Sequence, residues 1–455
     1  MKEARLTQGS VGRHLVGMTL PVLVGITTMM AQAFVDAWFI GQVGDEELAA
    51  LGFAFPVLMV VTSVAIGLGA GTSSVVARAI GAHDHARAQR LATDSLLLSF
   101  TLTAVISLLG VFTIDPLFRL LGAPEALLPL IGGYMRIFYA GVPFVVVGMV
   151  AMSSMRATGD TRLPSLLMIL ASVANVLLDP VLIFGLGPVP RMELDGAAWA
   201  ALISRFSLFA GGVWFLRHRL DMLTFERPEP SRLWRSWAAI LHVGIPAAGT
   251  NAIVPIATGI ITAMLARYGP EAVAGFGVAS RIEALTLVMF YALSAIIGPF
   301  VGQNVSAGKP DRIHRALNLC TLFCLGSGLA IAIGLAAASR FLPALFSDDA
   351  TVRGVARTFL LIAPIGYGAY GMVMVMNAAF NGMGRPLPGV VVSVARTIVL
   401  YVPLGFLLDR VLGVPGIFAA YAIANVVTGF SAFAWAKRAV QAQCDRHRAP
   451  LLAAG

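Results

Sequence analysis

Three acidic residues, Asp36, Asp179 and Glu283, lie inside long apolar stretches of this chain, where an ionised side chain is costly. A carboxylate kept in such a setting has either a partner or a task. Asn175 stands four residues before Asp179, which puts both on one face of a helix. Asp36, Asn175 and Asp179 are therefore expected to form one oxygen-rich cluster. Two carboxylates held together in a medium of low dielectric cannot both stay ionised without cost. One takes a proton, or a cation such as Na⁺ sits between them. That chemistry couples ion binding to a change in packing. The plainer reading pairs each aspartate with an arginine of the apolar stretches, Arg136 or Arg205. For Glu283 the expectation is a structural charge pair with Arg396, which lies at similar depth, with substrate charge recognition as the other reading. Arg281, two residues from Glu283, faces elsewhere on its helix.

The elements that must position these groups follow from composition. Of 455 residues, 58% are hydrophobic and 12% charged, and the mean hydropathy is +0.84. The charged share is about half that of a soluble domain. A single soluble core cannot absorb so much apolar surface, so the bilayer is the solvent. Soluble enzyme, secreted disulfide scaffold, nucleic-acid binder and disordered chain are excluded together. The net charge of +9 does not reopen the nucleic-acid reading, because the basic residues are scattered over loops with no stripe and no aromatic interleaving. Cys320, Cys324 and Cys444 are too few for a disulfide framework, and the first two are expected as buried, inert thiols on one helix face. The first apolar run is too long for a signal-peptide core, and no cleavable signal is expected.

Apolar stretches long enough to span a bilayer fall near 14–40, 48–77, 92–114, 126–152, 162–186 and 195–216, then near 236–267, 272–302, 316–339, 354–381, 387–409 and 414–436. The fold expected is an all-α polytopic membrane protein, with twelve transmembrane helices in two pseudo-symmetric six-helix bundles. The N-lobe is 14–216 and the C-lobe 236–436. The polar segment 217–235, with its Pro-Glu-Pro core, reads as a cytoplasmic linker. Residues 1–13 and 437–455 read as cytoplasmic ends. The N-terminus, the even-to-odd connections and the C-terminal tail hold 21 of the 32 Lys and Arg; the odd-to-even connections hold 7 and the spans 4. By the positive-inside rule both termini are cytoplasmic.

The two halves repeat. A shift of 225 residues places Pro21 on Pro246, Gly44 on Gly269, Glu46 on Glu271, Arg87 on Arg312 and Arg90 on Arg315. Each half has an even number of spans, so the repeats share one orientation and predict a pseudo-two-fold axis along the membrane normal, with a cavity between lobes. Pro21 and Pro246 interrupt long spans and are expected to bend the first and seventh helices. Met29, Met30, Phe34, Tyr139 and Phe144 are candidates for an adaptable substrate lining. No Walker motif offers ATP as the energy source, no His/Cys spacing suggests a metalloenzyme, and no TVGYG-like filter suggests a potassium channel.

In FVDAWFIGQVGDEELAALGFAFPV, GLGAGTSSVVARAIGA, MRATGDTRLPSLLMILASVANVLLDPVLIFG and the second copy YGPEAVAGFGVASRIEALTLVMFYALSAIIGPFVGQNVSAG, the chain resembles the multidrug and toxic compound extrusion (MATE) family of transporters. The resemblance runs from about residue 12 to 440. It implies two six-helix bundles facing each other in a V. It also implies export of cationic or amphipathic organic compounds in exchange for H⁺ or Na⁺. In the family, a first-helix aspartate matches Asp36, a fifth-helix NxxxDP pattern matches Asn175, Asp179 and Pro180, and the first-helix bend matches Pro21. Helices 7 and 10 lack the acids of the NorM-like branch, so the chain looks closer to the DinF-like branch. A sixth-helix hydroxyl that completes the family's ion site is replaced by Ala201, with Ser204 one turn on, which favours H⁺.

The reading from sequence is thus a secondary antiporter working by alternating access, in a bacterial cytoplasmic (inner) membrane. It is expected to be monomeric, to be no enzyme, and to use no cofactor besides H⁺ or Na⁺ as coupling ion. Its expected partners are small organic substrates and the lipid bilayer, without nucleic acid or ATP. The alternative is a flippase for a lipid-linked precursor, which calls for clustered arginines in the cleft.

Overall fold

In the computed structural model the described residues are 4–226 and 229–452, the side chains of 444–452 excepted. Arg227 and Pro228 of the expected linker, residues 1–3, residues 453–455 and the Cys444 side chain lie outside that description. Among the described residues, twelve helices are long and apolar enough to cross a membrane. In the first half they are α1 (Val11–Gly41), α2 (Asp45–Gly81), α3 (His85–Phe112), α4 (Glu125–Ala157), α5 (Arg162–Phe184) and α6 (Glu193–Arg219). The second half opens with α7 (Pro230–Tyr268) and a shorter helix, α8 (Pro270–Thr286). It continues with α9 (Val288–Ser306), α10 (Pro310–Ala338), α11 (Ala350–Gly382), α12 (Leu387–Leu412) and α13 (Val414–Gln443).

The eighth crossing, expected as one stretch over 272–302, is interrupted at Leu287, between α8 and α9. At the break the Glu283 carbonyl accepts both the Thr286 hydroxyl at 2.8 Å and the Leu287 N–H at 3.1 Å. Two further irregularities follow, a 3-10 turn at Ala363–Gly366 inside α11 and a π-helical turn at Ala395–Tyr401 inside α12.

The chain divides into two compact units. One unit is Leu20–Ala248; the other combines Gly249 onward with the chain up to Thr19. The first boundary falls beside Pro21 and the second just after Pro246, the residues paired by the repeat. Residues 236–248 thus belong with the first unit and the start of α1 with the second.

The reason lies in how the leading segments are held. In the first unit, the polar stretch before α7 docks on α3: Gln89 donates to the Asp221 carbonyl at 2.7 Å, Thr224 N–H to Thr93 Oγ1 at 3.0 Å, and Arg90 pairs with Glu226 at 2.6 Å. In the second unit, the stretch before α1 docks on α9 and α10. Leu6 N–H donates to Gln303 Oε1 at 3.2 Å, and Arg312 donates to the carbonyls of Leu6, Gln8 and Gly9 at 2.9, 2.9 and 2.6 Å. The repeat-related helices α3 and α10 therefore each grip the segment that leads into a bundle. Within the segment expected as a linker, residues 221–226 are docked on α3.

Close backbone approach holds each unit together, since lipid offers no hydrophobic drive between helices. A Cβ on Gly71 of α2 would lie 2.3 Å from the Ile240 carbonyl oxygen of α7. In the other unit a Cβ on Gly328 of α10 would lie 2.3 Å from the Gly368 Cα of α11. Cys320 and Cys324 are buried on α10 as free thiols.

Candidate functional site

Helices α1 and α5 run side by side in one direction, and a single offset describes their register. Gly25 lies against Met168, Gln32 against Asn175 and Asp36 beside Asp179, each pair 143 residues apart. Gly25 makes this possible, because a Cβ there would already lie 3.2 Å from the Met168 sulfur. The sequence-predicted trio of Asp36, Asn175 and Asp179 is thereby brought together within the first unit. Asn175 and Asp179 are fully buried and Asp36 half-buried.

Gln32, which the sequence reading passed over, joins the two helices. Its Nε2 donates to Asp36 Oδ2 at 3.3 Å and to Asn175 Oδ1, and Asn175 Nδ2 donates to Asp179 Oδ1 at 3.1 Å. The signal was present: Gln32 is a polar residue one turn before Asp36 on the same face. The amide relay satisfies one oxygen of each carboxylate. The other two, Asp36 Oδ1 and Asp179 Oδ2, have no hydrogen-bond partner among the described residues, and the two carboxyl groups lie within hydrogen-bonding reach of each other. Two full charges at such a separation repel by about 4 kcal/mol at a typical effective dielectric. The arrangement therefore accommodates one shared proton or a bridging cation.

Tyr134 and Arg205 stand near this pair, and with Ala201 they line a cavity of about 10 Å³, room for one water. Arg205 acts on Asp36 through its charge, without an ion pair among the described residues. Arg136 is exposed. The simple Asp–Arg pairing is not formed. Ser204 is buried, and its hydroxyl donates to the Ala201 carbonyl at 3.0 Å.

The proposed lining residues separate. Met29 packs on the core of the first unit, Met30 is half-buried, and Phe34 is exposed. Tyr139 and Phe144 do not join the carboxylates. Tyr139 is buried against Gly110 of α3, and Phe144 sits among Phe100, Phe206 and Phe209 with ring centroids 5.3–6.4 Å apart. Aromatic packing between helices, which sequence cannot distinguish from a ligand lining, claims both.

The second unit holds its own polar cluster, and here the expected Glu283–Arg396 pair is corrected. No ion pair joins them among the described residues. Glu283 accepts a hydrogen bond from the Tyr421 hydroxyl at 2.9 Å. Arg396 donates from Nη1 to Asn425 Oδ1 at 3.2 Å and lies 4.4 Å from the centre of the Tyr370 ring. Tyrosine hydroxyls and an amide offered partners that hydropathy and charge could not reveal.

Among the described residues, twelve spanning helices and a buried carboxylate pair bridged by amides are the features of a polytopic membrane protein. The MatE family profile matches the chain twice, over residues 21–181 and 246–407, each match starting at one of the paired prolines. The chain belongs to the MATE family. It is 40% identical over 435 residues to a protein of Shewanella oneidensis named FAD transporter, covering 95% of this chain and 96% of that one. Identity is 26% to the probable multidrug resistance protein YoeA of Bacillus subtilis, with 95% and 96% covered. Among solved structures, the Vibrio cholerae MATE transporter VcmN in its bent form superposes with a TM-score of 0.90 at 30% identity, covering 95% of this chain and 98% of that one.

Proposed function

We propose that this protein is a proton-coupled antiporter of the cytoplasmic membrane, with both termini cytoplasmic, that exports organic compounds. Flavin adenine dinucleotide is the first substrate to test. One observation carries the coupling reading: Asp36 Oδ1 and Asp179 Oδ2 are left free within reach of each other while amides hold the remaining oxygens. A proton completes that pair. A Na⁺ ion needs about five or six oxygen ligands, like other hard cations. Asn175 Oδ1 is already engaged by Gln32, and the Ser204 hydroxyl is turned to backbone. The 40% identity to a protein named for FAD transport supports the flavin.

In the proposed cycle, substrate occupies the transporter while the aspartates lack their extra proton. A proton from outside then lowers the charge of the pair by one, α1 repacks at Pro21, and substrate leaves outward. Pro21 lacks the N–H that would meet the Gly17 carbonyl, so the helix is weakest there. Coupling arises because proton and substrate favour different states.

The test is transport in proteoliposomes, with FAD and a fluorescent organic cation as probes and pH and Na⁺ gradients imposed separately. Transport driven by the pH gradient alone is expected. Transport that follows Na⁺ alone refutes the proton reading, and no transport of either probe refutes the antiporter.

A further inference from the structure

We propose that the polar cluster of the second unit is a binding site for an oxyanion, phosphate or carboxylate, carried by an aromatic substrate. The inference deepens the function proposed above, resting on it for the claim that the bound molecule is cargo.

The site is rich in unsatisfied donors. Arg396 Nε, Asn425 Nδ2 and the hydroxyls of Tyr367 and Tyr401 are buried with no hydrogen-bond partner among the described residues. These side chains are themselves deeply enclosed: Asn425 and Tyr367 are 0% exposed, Tyr401 2% and Arg396 7%. Native structures rarely leave so many buried polar atoms unmet in one place. A guanidinium in a membrane span normally pairs with an acid or a backbone carbonyl. Glu283, the acid of this cluster, is engaged by Tyr421, with the Tyr367 hydroxyl facing the same carboxylate without a hydrogen bond of good geometry. Arg396 Nε and Asn425 Nδ2 can only donate and the two tyrosine hydroxyls can donate as well, so one acceptor with several lone pairs satisfies all four. A planar guanidinium with a free N–H edge suits a phosphate or carboxylate oxygen.

Backbone irregularity converges on the same place. Arg396 and Tyr401 share the π-helical turn of α12, Tyr367 directly follows the 3-10 turn of α11, and Glu283 and Tyr291 flank the break at Leu287. Non-helical backbone at membrane depth is tolerated where protein buries it or it lines a cavity, and π-turns concentrate at functional sites. The cluster also gathers aromatic rings: five of the eight tyrosines belong to it, and Tyr291 is 39% exposed at its edge. Such rings favour a ligand that joins the oxyanion to a flat ring system.

The experiment measures binding rather than transport. The full chain in detergent is titrated with FAD and with riboflavin, which shares the ring but lacks phosphate, following quenching of flavin fluorescence. Inorganic pyrophosphate serves as competitor. Expected is a preference for FAD of about tenfold or more, the scale of one charge-assisted hydrogen bond, and displacement of FAD by pyrophosphate. Arg396→Gln removes the preference and leaves riboflavin binding within about twofold. Arg396→Lys retains part of it, and Tyr401→Phe, which keeps the ring, lowers FAD binding while sparing riboflavin.

Equal binding of the two flavins, absence of FAD binding, or an equal loss of both in Arg396→Gln and Tyr401→Phe overturns the proposal. The two readings fail separately. Asp36→Asn is expected to keep the phosphate preference while losing transport. Selective binding in a wild-type protein that transports nothing sinks the antiporter and leaves the oxyanion site standing.

Discussion

Gln32 and Asn175, 143 residues apart, meet side chain to side chain, and each also donates to the aspartate one turn further along its own helix. The contact locks α1 and α5 in register and leaves one free oxygen on each carboxylate. It sets side by side two acids that sequence places on separate helices.

Because each carboxylate leaves one oxygen free toward the other, Asp36→Asn and Asp179→Asn should each abolish gradient-driven efflux while leaving a folded, monodisperse protein. Efflux from proteoliposomes, with size-exclusion profiles as the folding control, checks this. Full efflux in a well-folded Asp36→Asn protein would show that the site lies elsewhere.

The amide bridge is also an energetic link. Gln32→Ala and Asn175→Ala should be non-additive, with a coupling of about 1 kcal/mol, as expected for contacting polar side chains. Thermal unfolding of both single variants and the double variant measures it; strict additivity would mean that the contact is incidental.

At Gly71, any side chain meets the Ile240 carbonyl oxygen, since even a Cβ would stand 2.3 Å away. Gly71→Val should cost about 1–3 kcal/mol through overpacking and lower the melting temperature. Gly52 has open space around it, so Gly52→Ala is the matched control and should melt like the wild type.

Arg312 grips three carbonyls of the segment before α1. Removing it in Arg312→Ala leaves those acceptors with fewer partners and should free the segment. Amide exchange in residues 5–10 is expected to rise about tenfold or more, on the scale of hydrogen bonds from a charged donor. Unchanged protection there would show that Lys309 and Asn304, which donate to Thr7 and Leu6 at 2.9 and 3.2 Å, suffice alone.

Much of this molecule could be read from its residues. Hydropathy reports transfer free energy residue by residue, so the twelve crossings emerged with their approximate limits. The repeat emerged because prolines, glycines and loop arginines recur at one spacing. Asp36, Asn175 and Asp179 stood out because intramembrane acids are expensive and helical periodicity relates neighbours one turn apart. Gln32 carried the same signal and was missed because an uncharged amide is cheaper to bury.

Tertiary structure alone decided who partners whom. The 143-residue register of α1 against α5, the docking of each leading segment on α3 or α10, and the choice of Tyr421 and Asn425 over a Glu283–Arg396 pair all depend on distances between residues remote in sequence. Burial in Tyr139 and Phe144 shows the same limit, since an aromatic ring has one hydrophobicity whether it packs a bundle or meets a ligand. Local propensity and transfer energy set the helices and their topology. Hydrogen-bond geometry is short-ranged and directional, so its pairings exist only once the helices have been brought together.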